Sequence, residues 1–306
     1  MAEVTAALVK KLRDMTDAGM MECKKALVAT KGDIDAAVEH LRKTGMVKAA
    51  KKADRSASEG RITIQIDDGG KKATISEINC ETDFVSQNDA FGEFSDKTTN
   101  LIHSEDAQDS EALLSKNIDG VKFEEFLKTK ISKIGENIVV RRFETITCDG
   151  ACVINGYVHS NNKVGVLVGA KCSSDEVAKA ISETLREVAM HAAAMKPKFL
   201  NESLIPEDVI ENEKSVAREQ LLKEGKPENM LEKIIPGKIK KFFEENTLIN
   251  QKFVKDDKKS IKQVVSEAAK AAGGDAEVVE YVRFELGEGL EKKSCDFASE
   301  VAAQLS

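Results

Sequence analysis

"GRITIQIDDGGKKATISEINC", residues 60–80, decides how the middle of this chain folds. Apolar and polar side chains alternate on both sides of Asp-Asp-Gly-Gly, and a period of two around such a turn predicts a β-hairpin. "CVINGYVHSNNKVGVLVGAKC", residues 152–172, has the same layout with Ser-Asn-Asn at the turn. Each hairpin closes on a cysteine, Cys80 or Cys172, and then opens a helical pattern. Farther on, "VVRRFE" (139–144) is matched by "EYVRFE" (280–285), strand-like and preceded both times by a helical stretch. The chain therefore carries two copies of a hairpin–helix–strand unit. Each predicts a three-stranded antiparallel sheet covered by helices, which makes the fold class α+β.

Helical patterns flank and interrupt these copies. Residues 1–52 read as three short helices in a small bundle. Thr5 caps the first, with Leu8, Leu12 and Met15 on one face; Met20, Cys23 and Leu27 line the second. Asp33 caps the third, with Ile34, Ala37, Val38 and Leu41 inward and Gly45 as its stop. The polar run "KAAKKADRSASEG" (48–60) reads as a linker. All four prolines, Pro197, Pro206, Pro227 and Pro236, fall within the second copy. Two helical patterns there join at Gly225, with Pro227 in a first turn, and Pro236 is expected to kink the second. Ile210, Ala217 and Leu221 face Leu231, Ile235, Ile239 and Phe242, which predicts a helical hairpin at about 205–246. Its apolar stripe could close on itself, on a partner, or on a second copy to form a homodimer. A tail pattern of Phe297, Val301 and Leu305 predicts one more amphipathic helix. The expected organisation is a docking module at 1–52, core subdomains at 56–146 and 147–286, the latter carrying the insertion, and a C-terminal helical module at 287–306.

Bulk properties narrow the function. A chain of 306 residues suits two or three compact units, and 46 basic against 53 acidic residues give a net charge of −7. That balance argues against a dedicated nucleic-acid binder. No apolar run approaches the roughly 20 residues that span a bilayer, and "MAEVTAALVKK" lacks a signal core, so a cytoplasmic protein is expected. The six cysteines show no CxxC spacing and read as reduced thiols, with Cys148 and Cys152 a weak exception. There is no phosphate loop, HExxH, GxSxG or paired Cys/His spacing, so neither a metal nor a cofactor is expected. His40 and His191 read as solvated or edge residues of helices. His159, after Tyr157 near the tip of the second hairpin, stands where contact residues collect. Nothing resembles an active site, which favours a non-enzymatic interaction protein.

The stretch "NCETDFVSQNDAF" (79–91) stays open on these grounds. Thr82 would cap a helix in which Phe84, Phe91, Thr98 and Leu101 recur at helical spacing, placing Phe84 on an apolar face. Its first-turn position beside Asp83, in a polar run, equally allows it to reach beyond the core.

"TDAGMMECKKAL" (16–27), "NCETDFV" (79–85), "KIGENIVVRRFE" (133–144) and "RFELGEGLEK" (283–292) together resemble the elongation factor Ts family. The likeness covers almost the whole chain in the same order. Asp17 stands where the family usually has Gly, and Pro236 falls in a helix normally free of proline. The resemblance implies a chain that binds the GTPase elongation factor Tu, GDP-bound and nucleotide-free, and expels its GDP during polypeptide elongation. It implies that Thr82, Asp83, Phe84 and Val85 enter the partner near its magnesium site, with Ile134 and Gly135 beside them. It further implies that Arg13, Met20, Met21 and Lys24 dock on a GTPase helix, and that His159 contacts another domain. A rival reading is an adaptor whose ubiquitin-associated-like (UBA-like) bundle binds a ubiquitin-like partner. A third is a hydrolase with an unrecognised site.

Overall fold

The computed structural model describes residues 4–16 and 18–290. Asp17, the Asp296–Phe297 pair and the tail pattern of Phe297, Val301 and Leu305 lie outside the described residues. In chain order the elements begin with α1 (Ala6–Thr16), α2 (Met20–Ala29) and α3 (Ile34–Ala50). The first copy follows as β1 (Glu59–Ile66), β2 (Lys72–Cys80), α4 (Asp83–Ser86), α5 (Asp89–Glu105) and α6 (Ser110–Ser115). A minimal ribbon, β3 (Asn117–Ile118) with β4 (Val121–Lys122), leads to α7 (Phe123–Ile134) and β5 (Ile138–Thr147). The second copy comprises β6 (Cys152–Val158), β7 (Val164–Cys172), α8 (Asp175–Met195), the hairpin α9 (Glu207–Lys223) and α10 (Glu228–Asn246), then a ribbon of β8 (Lys252–Phe253) and β9 (Asp256–Ser260). It closes with α11 (Ile261–Ala271) and β10 (Ala276–Glu285).

The echo read in the sequence is the architecture. The sheets run β1-β2-β5 and β10-β7-β6, all antiparallel, so in each the third strand pairs with the second strand of its hairpin. They meet face to face through Ile62, Ala73, Ile75 and Ile146 from one and Ile154, Leu167, Val282 and Phe284 from the other. Gly165 permits that approach, because a Cβ there would lie 2.5 Å from Ile62 Cγ2. Helices α5 and α7 cover the outer face of the first sheet with Phe91, Phe94, Ile102 and Phe123. Helices α8 and α11 cover the second with Ile181, Leu185, Val188 and Val265. The matched strands are also bonded across the centre. Glu77, fully buried, accepts from Arg141 Nη1 at 2.8 Å and Arg142 Nε at 2.6 Å. The Arg142 guanidinium lies 4.3 Å from the centroid of the Phe284 ring. Removing both arginines would leave that carboxylate buried without a charge partner, at a cost of about 3–5 kcal/mol.

The bundle core is Val9, Leu12, Cys23, Ala26, Leu27 and Ala37. Asp33 caps α3 as expected, accepting from the Ala36 amide at 3.0 Å. Three expectations here need correction. Met15 and Met20 flank the α1–α2 connection at the end of the bundle and stay 56% and 59% exposed. Helix α3 does not stop at Gly45 but runs on to Ala50, because Ala49 packs into the core of the first copy. The polar stretch behind it is docked, since Lys52 Nζ donates to Ile131 O at 3.4 Å and Asn137 Nδ2 donates to Ala53 O and Arg55 O.

In the hairpin, Ala217, Leu221, Leu231 and Ile239 are buried, so the stripe closes on itself. Gly225 turns the chain with φ +77°, Pro227 sits one residue before α10, and α10 runs through Pro236. The insertion leaves and rejoins the fold at one place, where the Lys198 and Phe199 amides both donate to Asn246 O.

One further reading is overturned, and the exception among the cysteines is realised. His191 is fully buried: its ring Nε2 donates to Gln251 Oε1 at 2.9 Å, and its Nδ1 accepts from the Val254 amide at 3.3 Å. Burial pushes its pKa down. Cys148 and Cys152 are joined as a disulfide, because the short β5–β6 connection brings their Cα atoms to 6.2 Å. Cys23, Cys80 and Cys172 are free thiols.

Candidate partner-binding site

After Cys80 the chain does not enter its long helix directly. Thr82 caps α4, accepting from the Val85 amide at 3.3 Å, and Ser86 ends it. Asn88 then caps α5 anew, accepting from the Ala90 amide at 2.8 Å. The break rotates Phe84 off the face that carries Phe91, Thr98 and Leu101. Those three are buried, whereas Phe84 is 87% exposed. This settles the open reading: Phe84 is not core. Asp83 beside it is also exposed, while Val85 turns inward against the first core.

The exposed tip has a rigid base. Glu136, from the turn before β5, accepts through Oε2 from the Glu81 and Thr82 amides, both at 3.0 Å, and through Oε1 from Thr82 Oγ1 at 2.6 Å. The arrangement is reciprocal, because Glu81 Oε1 accepts from the Asn137 amide at 2.6 Å. Beneath, the Cys80 thiol donates to Thr82 O at 3.2 Å, and burial, with the Glu136 charge adding, pushes its pKa up to about 12. That thiol is inert packing and hydrogen bonding, not a nucleophile. Gly135 ends α7 in the left-handed region with φ +92°, and Ile134 before it is half-buried. The structure thus brings together Thr82, Asp83, Phe84 and Val85 with Ile134 and Gly135, residues from motifs about fifty positions apart. Sequence reasoning missed Glu81, Glu136 and Asn137, which do the joining. The only available signal was that Glu136 and Asn137 complete the motif containing Ile134 and Gly135.

The remaining predicted residues lie elsewhere. Arg13, Met20, Met21 and Lys24 are all exposed on α1 and α2, where Met15 and Val28 extend the apolar patch. His159 is exposed at the turn of the second hairpin, its Nδ1 2.9 Å from Tyr157 Oη. The bundle is not a loose arm. Arg42 Nη1 of α3 donates to both oxygens of Glu125 on α7, at 2.9 and 3.1 Å. Among the described residues no group of three or more His, Cys, Asp or Glu could hold a metal, and no helix is long and apolar enough to cross a membrane.

Residues 81–288 match the family model described as elongation factor TS. An elongation factor Ts from a Nitratiruptor species is 57% identical over 99% of both chains. Those from Nautilia profundicola and Campylobacter concisus are 55% and 47% identical, again over 99% or more of each chain. With motifs, doubled architecture and full-length relatives in agreement, the chain belongs to the elongation factor Ts family, the nucleotide-exchange factors of elongation factor Tu.

Proposed function

We propose that this chain releases GDP by inserting the Asp83–Phe84 tip beside the partner's magnesium and phosphate site, with Ile134 and Gly135 as its shoulder. The observation that carries the reading is an aromatic ring 87% exposed on a loop whose base is held through the Glu81, Thr82 and Val85 amides. Held on a rigid support, that ring is available to a partner's surface. Nucleotide affinity in such GTPases rests on Mg²⁺ and a cradle of backbone amides. An exchange factor needs only to bind the nucleotide-free form better, and each 1.4 kcal/mol or so of that preference weakens nucleotide binding about tenfold. Asp83 is a single carboxylate, too few oxygen ligands to hold magnesium itself. Its role is to disturb the ligands already there.

Arg13, Met20, Met21 and Lys24 supply a docking patch of soft apolar surface rimmed by cations, and His159 a contact at the opposite hairpin. Self-association through α9 and α10 rests on a smaller surface than the sequence pattern offers, since of their larger apolar side chains Val216, Leu222 and Met230 stay open. The test is release of fluorescent GDP from a preloaded elongation factor Tu by substoichiometric amounts of this chain. Phe84→Ala should slow release about tenfold or more while leaving the melting midpoint unchanged, whereas Phe94→Ala, at a fully buried ring, should cost about 3–5 kcal/mol of stability. A destabilised Phe84→Ala with normal release per folded molecule would sink the reading.

A further inference from the structure

We infer that Glu136 is a positioning residue for nucleotide release, one that holds the Asp83–Phe84 tip stiff enough to do work on the partner. The inference rests on the reading of Phe84 as the inserted probe. Three donors converge on this one carboxylate: the Glu81 amide, the Thr82 amide and the Thr82 hydroxyl. They are the donors that open the tip, so the four-residue helix α4 starts from a fixed point rather than from a free strand end. A helix this short has no stability of its own. Without the clamp, insertion of Phe84 would first have to order the loop against its backbone conformational entropy.

The second copy offers the control. At the equivalent place, after Cys172, the loop is tied to the turn before its third strand by neutral groups: the Ser173 amide donates to Asp275 O at 2.9 Å, and the Asp275 amide to Ser173 Oγ at 3.0 Å. That tie carries no exposed aromatic. The copy that does carry one has an ionised acceptor with three donors instead, and charge-assisted bonds are roughly twice as strong as neutral ones. Lys52, Arg55 and Glu81 surround the clamp. Arg55 Nη1 lies 3.5 Å from Glu81 Oε1, and Lys52 feels both carboxylates, so the segment leaving α3 neutralises the site. Asn137, next to Glu136, holds the same segment through Ala53 O and Arg55 O. The probe is therefore referenced to the end of the docking module as well as to its own sheet.

The experiment is a double-mutant cycle in the GDP-release assay, with the maximal rate and the half-saturating concentration measured separately. Glu136→Gln keeps the shape but loses the charge. It should lower the maximal rate about fivefold to tenfold and leave the half-saturating concentration within about twofold, because the remaining contacts survive. Combined with Phe84→Ala, it should add nothing. Loss of rate of equal size in both backgrounds, or no loss in either, overturns the inference. Failure of Phe84→Ala alone to slow release instead removes the probe reading, so the two failures are distinct. Thr82→Val, which removes one of the three donors, should lower the rate in the same direction by less, and it serves if Glu136→Gln does not fold. The chain has no tryptophan, so Phe84→Trp makes a single reporter at the tip. Its time-resolved anisotropy in the free protein should gain a fast local component when Glu136 is replaced. An unchanged decay refutes the clamp.

Discussion

The two copies can be compared residue by residue where each leaves its hairpin. Cys80-Glu81-Thr82-Asp83-Phe84-Val85 stands opposite Cys172-Ser173-Ser174-Asp175-Glu176-Val177. Thr82 caps α4 and Ser174 caps α8 in the same way, each accepting from the amide three residues on at 3.3 Å. Asp83 and Asp175 both lie in the first turn, where a carboxylate favours the helix N-terminus. Val85 and Val177 both turn inward. The pair that differs is Phe84 and Glu176. The second copy shows that this fold is satisfied by an exposed glutamate there, so nothing in the architecture asks for phenylalanine. It also shows the helix continuing unbroken from Asp175 to Met195, where the first copy stops at Ser86 and restarts at Asp89. The proposed tip lies where the first copy departs from the repeat.

The largest effect expected from this comparison comes from exchanging the two residues. Phe84→Glu makes the first copy resemble the second and should abolish most GDP release, by about tenfold or more, while the melting midpoint stays within the small range typical of surface changes. Glu176→Phe should fold and yet confer no additional release, because that position lacks the break after one turn that presents Phe84. Release restored by combining Glu176→Phe with Phe84→Glu would show that the two sites are interchangeable, and the distinction drawn between the copies would fail.

Much of the doubled fold was legible because a period of two is a strong local signal and the matched strands carry nearly the same letters. The polar positions of that alternation, Thr63, Thr74 and Ser76, are buried on the sheet face that α5 covers. Thr63, Ser76 and Thr99 form a closed triangle of hydroxyls, and Thr74 bonds to His103 and Thr145. A polar face covered by polar side chains has the same sequence pattern as one covered by solvent. The probe was half legible. Helical spacing runs through Phe84, but Asn88, a strong capping residue, restarts the helix and breaks that spacing. The clamp was not legible, since Glu136 meets Thr82 across 54 positions. His191 escaped for the same reason: its partner Gln251 lies 60 positions away.

A smaller effect should follow from removing what the second copy has and the first lacks. The chain enters and leaves the α9–α10 hairpin beside itself, at Phe199, Asn246 and Leu248, where Leu248 N also donates to Phe199 O at 2.8 Å. Replacing residues 207–245 by a short Gly/Ser linker should therefore leave both sheets intact, with a cooperative melting transition at nearly the parental midpoint, because a flexible closure there costs only about 0.6 kcal/mol per doubling of its length. Loss of cooperativity would mean that the hairpin is structural and not an addition to a complete repeat. Light scattering on the same pair of proteins reads whether the hairpin joins two copies.

The smallest effect concerns a histidine on the covering helix of each copy, His103 on α5 and His191 on α8. Both pKa values are pushed down, His191 by burial and His103 by burial and then Lys72, with Asp67 and Asp106 opposing. For a base depressed in the folded state, the unfolded chain takes up a proton first. Its neutral form therefore supports the fold above the ordinary histidine pKa of about 6.5, and that support falls as pH drops through this value toward the folded pKa. His191 is fully buried, with both nitrogens bonded inside the protein, whereas His103 is half-buried and bonds to Thr74. His191→Gln keeps a donor for Gln251 and removes the titration. Between about pH 7.5 and pH 5.5 the urea midpoint of the parent should fall more steeply than that of His191→Gln, and only slightly more steeply than that of His103→Gln. Parallel midpoint curves for the parent and His191→Gln would show that the buried ring does not couple protonation to folding. A larger flattening from His103→Gln would reverse the order, making the first copy the more closed of the two around its histidine.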